Sequence, residues 1–160
     1  MRTLTVTTHL AVKPDIVKEH VMTPVLLSYV VAGLMRFEPI TPAVFPGRWI
    51  PGEYKVRMLV FHSIPVGWQC VKIELPEQDD EWCLRDNGRG SLARVWDHRI
   101  FIEPDGGGTR YTDRVCIDAG ALTWPVFLYA TLFFRYRQRR WRKLVDLDFE
   151  PLSSGKADNR

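Results

Sequence analysis

Cysteine is scarce in this chain and follows no pattern. Cys70, Cys83 and Cys116 are the only three in 160 residues. An odd number without metal-ligand spacing argues against a disulfide framework and against a zinc site. Histidine is as sparse, with His9, His20, His62 and His98 scattered along the chain, so no metal is expected. There is no G-x-S-x-G, no Walker loop and no H-E-x-x-H. Long apolar runs are also missing. The longest charge-poor stretch, Ala119 to Phe134, is shorter than the roughly 18 residues of a membrane span, and arginines crowd its end. The opening MRTLTVTTHL alternates like a strand and lacks the character of a secretory leader. These absences point to reduced thiols, a cytoplasmic location, no transmembrane segment and no cofactor. The formal charge of +3 is mild and does not call for nucleic acid.

What is present fits one globular domain over residues 1–150. Hydrophobic residues make up 46% and charged residues 26%, ordinary values for a packed core with a charged surface. The end of the chain, 151–160, contains SSGKADNR and is expected to be a disordered tail.

The most informative stretch is RVWDHRIFIEPDGGGTRYTDRV, Arg94 to Val115. Two alternating runs flank Pro104-Asp105-Gly106-Gly107-Gly108, which is turn chemistry, so the stretch reads as a β-hairpin. With Ile102 facing Thr109, His98 faces Asp113. Trp96, His98, Ile100 and Ile102 then share an apolar face with Tyr111, Asp113, Val115 and Ile117. Asp97, Arg99, Arg110, Arg114 and Asp118 take the other side. A slip of one residue would undo this separation.

Upstream, Thr3 to Val12 alternates as a strand. Pro14 opens a short helix, and Thr23-Pro24 caps and starts a second over Val25 to Ala32, which Gly33 closes. Leu34 to Ile40 is a second strand. The loop Thr41 to Gly52 carries Phe45 and Trp49. It reads either as a lid or as a surface loop that packs its aromatics onto the domain. Glu53 to His62, Trp68 to Leu75 and Glu81 to Asp86 are further strands, with turns at Pro65-Val66-Gly67 and Pro76 to Asp80. Leu75 opposite Trp82 keeps Leu84 on the face of Ile73 and sets Asp86 near Val71. Cys70 and Cys83 then fall out of alignment, so no bridge between them is expected. Asn87-Gly88-Arg89-Gly90 breaks the chain before the hairpin.

Thr123 can cap one long helix running to about Leu147. Phe127, Ala130, Phe134, Trp141 and Val145 form a stripe along it, with Gln138 between Phe134 and Trp141. Its other sides carry Arg135, Arg139, Arg142 and Lys143. An antiparallel sheet with an apolar face needs a cover, and this helix alone is long enough to provide one.

The order strand, two helices, six strands and long helix resembles the helix-grip fold of the START, Bet v 1 and polyketide-cyclase (SRPBCC) superfamily. Trp96-Asp97-His98, the Gly-rich turn, Thr112-Asp113-Arg114-Val115 and FFRYRQRRWRKLV are similar to its bacterial members. The resemblance implies an α+β fold: a seven-stranded curved antiparallel sheet wrapped around the C-terminal helix, with a cavity between them. Members bind lipids, quinones, steroids, plant hormones or polyketides, and some are cyclases or aromatases. No universal catalytic signature comes with the fold.

The expected function is therefore binding of an apolar or aromatic small molecule, serving transport or sensing. The candidate ligand-binding residues are Tyr54, Met58, Gln69, Trp82, Trp96, His98, Tyr111, Asp113, Phe127, Phe134 and Gln138. His98 and Asp113 have two readings. They satisfy each other as a buried structural pair, or they orient a ligand in the cavity. An alternative function is a cyclase or aromatase in which Asp113 fixes the tautomer of His98 as general base, although no nucleophile accompanies the pair. A third reading has the Arg-rich helix end meet RNA, acidic lipid headgroups or a partner protein, against a solvated face whose stems pack on aromatics.

Overall fold

The computed structural model describes residues 1–77 and 81–153. Seven strands form one sheet: β1 (Arg2–Leu10), β2 (Met35–Thr41), β3 (Gly52–Val60), β4 (Ile64–Glu74), β5 (Leu84–Gly90), β6 (Val95–Asp105) and β7 (Gly108–Asp118). They lie in the order β1-β7-β6-β5-β4-β3-β2, all antiparallel. Two short helices, α1 (Pro14–Val21) and α2 (Pro24–Val31), join β1 to β2. The long helix α3 (Thr123–Asp146) follows β7. The curved sheet grips α3, which packs on β1, β7 and α2.

Local chemistry sets these boundaries. Pro14 and Pro24 occupy first helical turns, where a missing N–H costs nothing. Thr23 Oγ1 accepts from Leu26 N at 3.4 Å and donates to His20 O at 2.7 Å, so one hydroxyl ends α1 and caps α2. Thr123 acts differently from the cap expected of it. It is the first residue of α3, and its hydroxyl donates to Gly120 O and accepts from Ala119 N, closing the 3₁₀ turn Gly120–Leu122.

Both central hairpins differ from the sequence reading by two residues. Ile102 pairs with Tyr111, Ile100 with Asp113 and His98 with Val115. The cause is the turn. Gly106 and Gly107 alone form it, both left-handed at φ 56° and 86°, the two-residue type I′ geometry. Pro104 and Asp105 therefore belong to β6, not to the loop. In the same way Ile73 pairs with Asp86, and Trp82 lies before β5 and pairs with no strand residue. A displacement of two keeps every side chain on its face, so the separation of apolar from charged holds.

Two further boundaries move. Phe61 and His62 take left-handed φ values of 47° and 66° and turn the chain into β4. Pro65-Val66-Gly67 is thus no turn but part of β4, at the irregularity opposite Met58 and Leu59. Asn87 to Gly90 does not break the chain either; it completes β5. Gly88 is needed there for closeness. A Cβ on it would stand 2.6 Å from Cys70 O and 2.7 Å from Asp86 Oδ1. Part of the turn expected over Pro76–Asp80 lies outside the described residues. Pro151–Ser153, expected in the tail, complete a last helical turn, α4 (Glu150–Ser153); the rest of that tail lies outside the described residues. Cys70, Cys83 and Cys116 are all free.

The loop of residues 42–51 packs down. Trp49 is 4% exposed, bonds Met22 O through its backbone N–H at 2.8 Å, and meets Phe45 and Tyr54 edge to face. Along α3, Ala130, Phe134, Trp141 and Leu144 are fully buried. Trp141 is the largest of them, with its ring 5.7 Å from that of Tyr111. Trp141→Ala is expected to lower unfolding free energy by about 3–5 kcal/mol in chemical denaturation; a loss below about 1 kcal/mol would place the ring outside the core.

Candidate functional site

Between the sheet and α3 lies a cavity of about 460 Å³, within the range of about 300–1,000 Å³ typical of small-molecule sites. Its lining is built from three directions. The sheet contributes Met35, Phe37, Met58, Val60, Val66, Val71, Ile73, Leu84, Trp96, Ile100 and Tyr111. The short helices and the packed loop add Val21, Leu26, Leu27 and Trp49. α3 presents Val126, Tyr129, Phe133 and Arg137, four positions at helical spacing. The cavity reaches the surface where Leu92, Leu122 and Tyr129 line it while 42%, 59% and 41% exposed. That mouth lies between the β5–β6 connection and the start of α3.

Few polar side chains face this space: Thr23, Gln69, Asp86, His98 and Arg137, with the Tyr111 ring carrying its hydroxyl. His98 comes from β6 and is 5% exposed. Its Nε2 lies 2.8 Å from Asp113 Oδ1, reached diagonally across the β6–β7 ladder. Asp113, 1% exposed, also accepts from the Tyr111 hydroxyl at 3.1 Å and from Gln138 Nε2 at 3.0 Å. Burial pushes the His98 imidazolium to a lower pKa and outweighs the pull of Asp113. Burial pushes the Asp113 carboxyl upward, but His98, Arg137 and Gln138 together hold it below its ordinary value. The pair is therefore a neutral imidazole donating its Nε2–H to a carboxylate. That tautomer leaves Nδ1 as the basic atom.

Asp86 is the second buried acid. Its Oδ1 accepts from Lys72 N at 2.9 Å and its Oδ2 from Gln69 Nε2 at 3.4 Å. Burial raises its pKa from 3.8 to about 8 despite those bonds and the nearby Arg137. Arg137 is 8% exposed and stacks over Phe134, 4.6 Å from the ring centre. Its Nε has no hydrogen-bond partner.

Five of the eleven residues expected at the site line the cavity, Met58, Gln69, Trp96, His98 and Tyr111, and Asp113 stands behind His98 as its hydrogen-bond partner. Phe134 and Gln138 lie a layer further back. Phe134 packs on Trp96 and His98, while Gln138 Nε2 donates to both Asp113 and Val6 O, at 3.0 and 2.7 Å, and has no proton left for a ligand. Tyr54 donates its hydroxyl to Ile50 O at 2.9 Å behind Trp49. Trp82 sits in an outer groove with Pro51, Leu75 and Arg85. Phe127 meets Trp124, on whose ring the Arg2 guanidinium stacks. The expected stripe on α3 is thus the one that seals the core, and the next stripe round faces the cavity. Sequence reading missed Asp86 and Arg137 as polar lining. The signal for Arg137 was the spacing Val126, Tyr129, Phe133, Arg137, which continues an apolar row into a cation.

Part of the Arg-rich helix end is used within the molecule. Arg140 donates to Tyr29 O and stacks on that ring, and Arg142 donates to Thr8 Oγ1. Arg135 and Arg139 are exposed. Among the described residues no helix is long and apolar enough to cross a membrane, and no cluster of three metal-ligating side chains occurs.

No protein-family model matches the sequence, and no curated protein does. Solved structures match the fold. A START superfamily protein from Mycobacterium smegmatis is 13% identical, with 91% of this chain and 97% of that one covered at a TM-score of 0.64. A major latex-like protein from Panax ginseng is 10% identical, with 89% and 95% covered at 0.59. A protein from Chromobacterium violaceum is 18% identical, with 89% and 96% covered at 0.65. The architecture is the helix-grip fold of START and Bet v 1-like proteins.

Two measurements probe the site. Asp86 keeps its proton in the folded protein while the unfolded chain releases it, so stability falls as pH rises from about 4 to about 8. Asp86→Asn removes this slope, and by pH 7 is expected to gain up to about 4 kcal/mol relative to the parent, read from unfolding midpoints across pH. An unchanged pH profile would mean that Asp86 ionises normally. In a double-mutant cycle on stability, His98→Ala and Asp113→Asn are expected to couple by about 0.5–3 kcal/mol, and additivity would show that they act independently.

Proposed function

We propose that the protein binds a hydrophobic small molecule, a lipid, quinone or aromatic polyketide, in the cavity between sheet and α3, in a transport or sensing role. The observation that carries this reading is the cavity itself. A packed interior of this size ordinarily closes on its own side chains, yet about 460 Å³ stays open behind a mouth at Leu92, Leu122 and Tyr129. The lining is apolar and aromatic, and its few polar groups are held in place, Gln69, Asp86, His98 and Tyr111 by hydrogen bonds and Arg137 by stacking on Phe134, as in sites that orient an apolar ligand. Met58, Gln69, Trp96, His98 and Tyr111 are the residues we assign to ligand contact. Asp113 supports His98 from behind.

A second reading is favoured by one observation. His98 lines the cavity with its tautomer fixed by Asp113, which is how a general base is oriented. A cyclase or aromatase would set the acidic C–H or hydroxyl of its substrate against Nδ1.

Native mass spectrometry of protein purified gently from its own host is expected to show a co-purifying apolar molecule. His98→Ala is expected to weaken its binding without turnover in the parent. Turnover that falls by ~10²–10⁴ in the variant, with binding kept, would establish the enzyme instead. An interior that takes up neither this molecule nor any apolar fluorescent probe would end both readings.

A further inference from the structure

We infer that the cavity is built for an amphipathic acid, an apolar body carrying one carboxylate that pairs with Arg137. This rests on the cavity being a ligand site, and it adds the chemical class of the ligand.

Arg137 is the unusual member of the lining. A guanidinium is always charged, and burying it without an anion is costly. Arg137 is 8% exposed, yet no carboxylate among the described residues lies within ion-pair distance of it, and its buried Nε meets no acceptor. Its direct contacts of favourable sign are the aromatic faces of Phe134 at 4.6 Å and Phe133 at 5.9 Å. Stacking of that kind holds the plane of the fork and leaves its edge, where the N–H groups point, without a partner.

The two acids near it do not fill this role. Asp113 already accepts from His98, Tyr111 and Gln138. Asp86 already accepts from Lys72 N and Gln69, and burial keeps it largely protonated at neutral pH. His98 is neutral and gives its Nε2–H to Asp113. The Asp113 carboxylate attracts this guanidinium through space, yet no acceptor among the described residues of the cavity wall meets its N–H groups directly. Its complement is an anion with an apolar body. A carboxylate matches the planar fork with two parallel N–H···O bonds, which an alcohol or an amide carbonyl does not.

The test uses the full chain, stripped of bound lipid, and N-phenyl-1-naphthylamine as a neutral fluorescent probe of the cavity. Decanoate, decanamide and decanol are then titrated as competitors at pH 7.5. Decanoate is expected to displace the probe at roughly ten- to hundredfold lower concentration than either neutral analogue. Arg137→Met is expected to abolish that preference while the probe still binds, and Arg137→Lys to retain part of it. Equal displacement by all three, or a preference that survives in Arg137→Met, overturns the acid assignment and leaves the cavity as a site for neutral ligands. Failure of the probe and of every competitor to bind overturns the cavity reading and this inference with it. Should Arg137→Met fail to fold, carboxyl-¹³C decanoate bound to the unaltered protein decides the matter. A bound carboxyl that titrates below the free acid supports pairing with Arg137, and one that titrates at or above it overturns the assignment.

Discussion

The buried carboxylate of Asp113 is the point on which the closed end of this molecule depends. A charge at 1% exposure is tolerable only when its oxygens are fully engaged. The donors come from two strands and the helix: His98 from β6, Tyr111 from β7 and Gln138 from α3. Gln138 gives its second N–H to Val6 O, so β1 joins as well. Val6 is also the ladder partner of Asp113. Four elements thus meet around one side chain, and the helix cannot rotate or slide without stranding a buried charge.

That constraint explains why the cavity lies where it does. With α3 fixed at Gln138, its apolar stripe of Ala130, Phe134 and Trp141 fills the space against β1 and the β6–β7 hairpin. The sheet curves on through β5, β4, β3 and β2, away from the helix axis. The stripe of Val126, Tyr129, Phe133 and Arg137 faces the gap so formed. α1, α2 and Trp49 close its remaining sides. Three of the polar groups on the cavity wall come from β5, β6 and α3, Asp86, His98 and Arg137, while Gln69 comes from β4 and Thr23 from the junction of α1 and α2.

Much of this was legible in the sequence, and the residues themselves show where legibility stopped. Alternation placed Trp96, His98, Ile100, Tyr111, Asp113 and Val115 on one face, because the side-chain period of a strand is two. The same period hides a displacement of two, so both central hairpins carried the right faces and the wrong partners. Which of Pro104 to Gly108 make the turn is decided by backbone φ at Gly106 and Gly107, and composition alone does not specify it. Asn87 to Gly90 read as a break since glycine is rare inside strands; the close approach of Cys70 O and the Asp86 carboxyl group is a tertiary fact. Helical spacing marked the stripe that packs. It gave no means of telling a row that seals a core from a row that faces a space, which depends on how far the sheet stands off. Gln138 and Phe134 were therefore expected on the cavity wall and stand one layer behind it, and Asp86 and Arg137 were overlooked.

The two rows on α3 divide its labour by angle. Positions 130, 134, 138 and 141 pack into the closed core, while positions 126, 129, 133 and 137, a small rotation away, line the gap as well as touching that core. Neither row shares a residue with the other. Substitution along the second row can change the shape and charge of the compartment while the first holds the scaffold constant. A single helix thereby serves as both keel and wall, one row fixing where it lies and the next shaping the space left beside it.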